Sequence, residues 1–318
     1  MQLYSIRTKM VKSIKEYQNF NTEKEHKNSI ILIGNFDGLH LGHQKLFSLA
    51  KKYKKKYKTK IGVFTFEPMP KMFFNKNLRN FRISNKIQKI ALLEKFGADF
   101  VVVKKFDKNF SRTKSINFIK DILCKKLNAK FIFVSNNFRF GNKREGDVKQ
   151  LIKYKDIFDY KIIKPQPLLA KKKVISSTLI RNFLQNGRLK KANKLLNRNW
   201  SIIGKVQKGR QLGKKFGFPT ANIDIKDYVI AKPGVYAVKA KIQKNNKYIK
   251  GIANFGYRPT FKQKKILLEV HLFNFSGNLY NKYLTVDFMK FIRKEKKFKN
   301  VDQLKKQVRA DLLKAKKV

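Results

Sequence analysis

Four histidines occur in the 318 residues, and two share one short run, Gly34-Asn35-Phe36-Asp37-Gly38-Leu39-His40-Leu41-Gly42-His43. An apolar stretch precedes this run and a helix-like stretch follows it. Glycines at such a junction let the backbone approach a ligand closely, and a helix start offers free N–H groups and a positive dipole end. That combination suits a phosphate. His40 and His43 can both donate to triphosphate oxygens as negative charge builds at phosphorus. The spacing also fits a metal pair or two core histidines. A metal would want a third ligand, and only Asp37 lies nearby in the sequence.

Three further groups could do chemistry. In ISSTLIR (175–181), Ser177 and Thr178 stand at a helix start with Arg181 one turn on, which makes either a phosphate clamp or an ordinary N-cap. In GKVQKGRQLGKKFGFPTANI (204–223), Gly209, Gly213 and Lys214 imitate a P-loop. The spacing is one residue short and no Ser or Thr follows the lysine, which argues against a Walker-type kinase. Glu269 lies between apolar neighbours in ILLEVHLF (266–273). Turned inward it is costly unless it does chemistry or finds a partner; turned outward it is a common surface glutamate.

The elements that must position these groups fall into two styles. Apolar runs at 29–36, 60–66, 99–106 and 129–136 predict buried parallel strands, and helical patterns at 43–57, 84–97 and 114–128 lie between them. That order predicts a doubly wound α/β domain. Beyond residue 198 the runs at 201–207, 234–242, 248–256, 266–275 and 283–292 follow one another without helices, which predicts an antiparallel barrel. A terminal amphipathic helix follows, with Asn300 as N-cap. Residues 1–187 and 199–318 thus form two domains joined by a linker helix at 188–198. Each has its own core, so a fragment of about residues 190–318 is expected to fold alone.

Composition narrows the class. One cysteine, Cys124, excludes an intramolecular disulfide framework and fits a reducing cytoplasm. No apolar run approaches the roughly 20 residues a membrane span needs, and no secretory h-region opens the chain. Lys and Arg number 76 against 20 Asp and Glu, a net charge of +56. A nucleic-acid binder is the rival class. The charge is an even coat rather than a tail or motif, and Lys, Asn, Ile and Phe are abundant together, as A/T-rich codon drift would produce. Nonspecific attraction to nucleic acid follows either way.

The run GNFDGLHLGHQKLF (34–47) resembles the signature of HxGH nucleotidylyltransferases, in the form used by bacterial bifunctional riboflavin kinase/FAD synthetases. FTFEPMPKMFF (64–74), RISNKIQKIALLEKFGAD (82–99), NNFRFGNKREGD (136–147) and ISSTLIRNFLQNGRL (175–189) match in order. So do the 204–223 segment, GVYAV (234–238), ANFGYRPTF (253–261), ILLEVHLFNFSGNLY (266–280) and IRKEKKF (292–298). The resemblance covers roughly residues 30–317.

It implies an enzyme that phosphorylates riboflavin with ATP and adenylylates the FMN to FAD. A chain retaining one activity is the alternative within enzymes. In the first site it implies His40, His43 and Arg181 as catalytic, with Gly34, Phe36, Asp37, Gly38, Asn137, Ser177 and Thr178 on the nucleotide. In the second, Thr220 and Asn222 hold Mg²⁺–ATP, Gly209, Gly213, Lys214 and Gly217 form the loop over the nucleotide, and Glu269 is the base. Four positions depart from the family: Met69 replaces a usual His, Ser135 a Gly, Lys214 an Arg and Asn281 a Gly.

Overall fold

The computed structural model describes residues 14–318 apart from 210–216, 226, 244, 246 and 259–264. The chain forms two compact units: one runs to Leu78 and resumes as Lys86–Ile175, the other joins Arg79–Asn85 to Ser176–Val318.

The first unit is built on a six-stranded parallel sheet in the order Lys15–Tyr17, Phe100–Lys105, Ile61–Glu67, Ser29–Ile33, Ala129–Phe133, Lys161–Ile163. The four central strands are those the apolar runs predict. Both faces are covered over most of their length, so their residues are mainly apolar, with lysines or a glutamate at less buried positions. Ile30 and Leu32 pack with Leu46, Phe47 and Ala50 of helix Leu41–Tyr57 and with Ile90 and Leu93 of helix Lys86–Lys95. Ile31 and Ile33 join the opposite layer, with Phe118, Ile119 and Leu123. That stretch, Phe118–Lys126, is wound as a π-helix rather than the α-helix its periodicity predicts. The two edge strands have three residues each and only partial burial, too little for a hydrophobic run to reveal them.

The second unit is a closed antiparallel barrel in the order Ser201–Gln207, Ala221–Asp224, Lys265–Leu272, Ile249–Arg258, Gly234–Ile242, Tyr283–Lys294. It has six strands where the sequence predicts five; the extra strand, Ala221–Asp224, is four residues long. Trp200, Tyr236, Phe255 and Phe288 fill the interior with rings 4.7–6.5 Å apart. Helices Ser177–Gln185 and Leu189–Leu196 precede the barrel. The final helix, Val301–Lys316, begins where Asn300 accepts from the Gln303 N–H at 2.9 Å. Its buried Asp311 pairs with Arg293 of the last strand at 2.7 Å.

Arg79–Asn85 also packs with the second unit, outside the 199–318 bounds expected for the barrel domain. Arg82 N–H donates to Asp227 O at 2.9 Å, and Val229 N–H donates back to Arg82 O at 2.7 Å. The buried Trp200 indole N–H donates to Ile83 O at 3.0 Å. A segment 117 residues upstream of Trp200 thus adds to the second unit's hydrogen bonding.

Candidate active sites

In the first unit the sheet order turns back at Ser29–Ile33, with later strands on either side. Open α/β sheets bind ligands beyond the carboxyl ends of strands at such a switch point. Two segments leave the sheet there, Gly34–His40 and the turn after Ala129–Phe133. Gly34 N–H donates to Phe64 O at 3.1 Å. Phe36, Gly38 and Leu39 then all take positive φ, at 47°, 80° and 36°. Glycine does so freely; Phe36 and Leu39 are held there by burial, at 1% and 0% exposure.

This turn delivers His40 to the N-cap of helix Leu41–Tyr57. The His40 and His43 rings stack 3.7 Å apart at 20°, and Phe36 lies 5.1 Å from the His43 ring. A Cβ on Gly42 would come within 3.2 Å of the His40 ring, so glycine leaves the imidazole its space. Asp37 is buried beside them in sequence. Among the described residues, the cluster of potential metal ligands is Glu23, Glu25 and His26, which includes neither histidine of this turn. Asn137 is exposed, and its Oδ1 accepts from Ser135 Oγ at 2.9 Å.

Ser177, Thr178 and Arg181 belong to the second unit. The N-cap is Ser176, whose hydroxyl accepts from Leu179 N–H, so Ser177 and Thr178 open the helix proper. Arg181 is 9% exposed. Its Nε donates to Phe81 O at 2.7 Å and its guanidinium lies 3.6 Å from the Phe81 ring centre.

The barrel gathers another constellation. Strand register aligns Gln207 with Asn222, Asn222 with Glu269, and Glu269 with Asn254. Directly paired residues on neighbouring strands point to one face, so these four make a polar row. Leu268 and Val270 flank Glu269 and are buried in the interior, which turns Glu269 outward and corrects the inward alternative. Asn222 is 8% exposed, and its buried Oδ1 has no hydrogen-bond partner. Gly209 lies against it, with room for no Cβ: one would sit 2.1 Å from Asn222 Nδ2. An orphaned buried amide oxygen under a glycine is what an oxygen-seeking cation would satisfy, so these residues fit Mg²⁺. Thr220 is half-buried, just before the strand; Gly217 is exposed at φ 83°. Gly213 and Lys214 lie outside the described residues.

A second carboxylate approaches the row. Glu295 fills the space above Gly256, where a Cβ would lie 1.7 Å from its Oε1. Burial pushes the Glu295 carboxyl above its ordinary range; Arg293 opposes the shift and the charge of Glu269 adds to it. Gln207, Asn254 and Glu295 were not anticipated. A polar residue alternating with apolar ones, as in ANFG (253–256), was the available signal for Asn254.

Residues 22–179 match the FAD synthetase family and residues 196–318 the riboflavin kinase family. The bifunctional riboflavin kinase/FMN adenylyltransferase of Buchnera aphidicola subsp. Schizaphis graminum is 41% identical over 295 residues, covering 92% of this chain and 94% of that one. The enzyme of the same description from Escherichia coli K12 is 36% identical, covering 90% and 91%. This chain belongs to the bifunctional riboflavin kinase/FMN adenylyltransferase family. A crystal structure described as a macrolide-efflux protein from Streptococcus pneumoniae shares its fold, with a TM-score of 0.83, 30% identity and 94% and 97% coverage. Among the described residues, no helix is long and apolar enough to cross a membrane.

Within the family frame the departures have local accounts. Met69 is 3% exposed and packs as a core residue at the start of helix Pro70–Phe74. Asn281 sits at φ 62°, in the left-handed region that asparagine tolerates. Ser135 uses its hydroxyl to fix the Asn137 amide.

Proposed function

We propose that this bifunctional enzyme works through two separate sites, the histidine turn of the first unit and the polar row on the barrel. The protein phosphorylates riboflavin to FMN with ATP and adenylylates FMN with ATP to FAD. What supports the two-site reading is the observation that the histidine turn lies in the first compact unit and the polar row in the second.

In the kinase step Glu269 accepts the proton of the riboflavin 5′-hydroxyl as that oxygen attacks the γ-phosphorus, and ADP leaves. Thr220 and Asn222 would hold Mg²⁺, which when bound neutralises charge on the ATP phosphates. Gly209, with Gly213, Lys214 and Gly217, covers the nucleotide. In the adenylylation step an FMN phosphate oxygen attacks the α-phosphorus of a second ATP, and pyrophosphate leaves. His40 and His43 donate to the phosphates, with Gly34, Phe36, Asp37, Gly38 and Asn137 shaping the nucleotide pocket. Ser177, Thr178 and Arg181 add phosphate contacts. No side-chain nucleophile is needed; position and charge do the work.

We assign residues 1–187 to the adenylyltransferase, 188–198 to a linker and 199–318 to the kinase, by chemistry rather than by compactness. The reading includes a cytoplasmic location and only nonspecific contact with nucleic acid. Its test is a pair of variants assayed with riboflavin, ATP and Mg²⁺, resolving FMN from FAD. His43→Ala should lower FAD formation by about 10²–10³-fold, as for loss of one charge-stabilising donor, while FMN accumulates. Glu269→Gln should block FMN formation yet leave supplied FMN adenylylated. Loss of both activities in either folded variant refutes the two-site assignment.

A further inference from the structure

We propose that His271 is a positioning residue of the kinase site, fixing the segment that carries Thr220 and Asn222 by donating from Nδ1–H to the Pro219 carbonyl. The inference rests on the reading that those two residues hold Mg²⁺–ATP.

The Nδ1 to oxygen distance is 2.9 Å. A carbonyl can only accept, so Nδ1 carries the hydrogen and the bond selects one tautomer of the neutral ring. The bond falls where the sheet gives none. Cross-strand pairing of Ala221–Asp224 with Lys265–Leu272 begins at Ala221 opposite Val270. Pro219 and Thr220 precede that ladder, and His271, one residue beyond Val270, reaches past its end to hold them. The ring is itself seated, edge-on to Phe218 at 6.1 Å and to Phe273 at 6.0 Å.

His271 also shares a face with Glu269, two residues earlier on the same strand. One rigid strand therefore carries the base and the clamp on the cation-holding segment. Fixing Pro219 fixes the approach of Thr220, while Asn222 is already fixed by its ladder. Without His271, Thr220 gains freedom and Asn222 does not. The effect should therefore fall on nucleotide use rather than on folding.

The experiment uses the full-length protein and three variants, His271→Ala, His271→Asn and His271→Gln. FMN formation is followed against Mg²⁺–ATP concentration, FAD formation from supplied FMN serves as the internal control, and thermal midpoints are recorded. His271→Ala should lower kinase kcat/KM for Mg²⁺–ATP by about tenfold, as for one lost neutral hydrogen bond, with KM carrying most of the change. The asparagine amide nitrogen can stand where Nδ1 stood, so His271→Asn should return to within about threefold of the parent. The longer glutamine should not. Adenylylation and the thermal midpoint should stay unchanged in all three.

Parent-like kinase kinetics in His271→Ala overturn the proposal. So does equal loss in the asparagine and glutamine variants together with a common fall in thermal midpoint, which would mean a merely structural contact. An Asn222→Ala control separates the two levels. If it retains kinase activity, the site reading fails; if it loses activity while every His271 variant is normal, the positioning inference alone fails.

Discussion

Replacing Gly209 by alanine tests the barrel site with the least chemical change. The added Cβ would sit 2.1 Å from Asn222 Nδ2 and 2.8 Å from its Cγ. That is about 1.3 Å inside the 3.4 Å at which ordinary van der Waals contact begins. Gly209 does not occupy the left-handed region, so alanine adds no backbone strain and the clash is the whole effect. Asn222 cannot retreat along its strand, because Gln207 pairs with it on one side and Glu269 on the other. Either its amide swings away or residue 209 lifts off. Forced repacking of this kind costs about 1–3 kcal/mol, or about 2–4 °C in thermal midpoint for each kcal/mol in a unit of this size. A misplacement near 1 Å in a positioned group lowers rate by about 10²-fold. Gly209→Ala should therefore reduce riboflavin phosphorylation by about that factor while FMN adenylylation is unaffected. The double variant Gly209→Ala/Asn222→Ala removes the atoms that collide, so its activity should match Asn222→Ala alone rather than multiply the two losses. A folded Gly209→Ala protein with parent kinase kinetics would refute the argument from the close contact.

Two further outcomes follow from charge. The Glu295 carboxyl is raised in the folded protein, chiefly by burial, so the folded state binds more protons just above the ordinary carboxylate range and loses stability as pH rises through that window. Denaturation curves should show Glu295→Gln gaining on the parent as pH rises from 4.5, and a parent that gains instead contradicts the shift. With a net charge of +56, duplex DNA should bind with log-linear salt dependence and equally for unrelated sequences, as a filter or anisotropy titration measures. A hundredfold sequence preference at physiological salt would mean the surface recognises bases.

How much was legible in the sequence varied with the length over which a signal repeats. The four central strands of the sheet were readable because each is buried on both faces over most of its length and so carries a mainly apolar run. Ser29–Ile33 is an example, with all five residues buried. Lys15–Tyr17 and Lys161–Ile163 were not, since a three-residue edge strand has no period to detect. Ala221–Asp224 hid for another reason: its residues had already been read as a motif. The histidine turn was readable as chemistry because glycine and histidine are rare together. Its stacked geometry was not, because it depends on three unusual backbone angles within four residues, at Phe36, Gly38 and Leu39. The row Gln207–Asn222–Glu269–Asn254 joins four strands whose register no local pattern encodes, and the outward turn of Glu269 follows only from that register.

The hydrogen bonding of Arg79–Asn85 to the barrel unit was the least legible feature, and it changes what a fragment should do. Residues 190–318 contain every barrel strand, so by strand count they should fold alone. Without residues 79–85, however, the Trp200 indole N–H, on a residue 1% exposed in the intact chain, loses the Ile83 carbonyl. A buried donor left without a partner costs about 1–3 kcal/mol. Val229 N–H loses the Arg82 carbonyl, and Asp227 O loses its donor. Ile83, itself 0% exposed, leaves an apolar gap that water then meets. Together these approach the whole stability of a small domain, about 5–15 kcal/mol. The fragment should therefore unfold at a much lower denaturant midpoint than the same unit in the intact chain. A synthetic peptide of residues 79–85, added in excess, should raise that midpoint and shift Trp200 fluorescence. Trp200 is the only tryptophan, so the signal is unambiguous. If the fragment is as stable as the intact unit and indifferent to the peptide, the segment only rests on the barrel and the hydrogen bonds it makes there are replaceable by water.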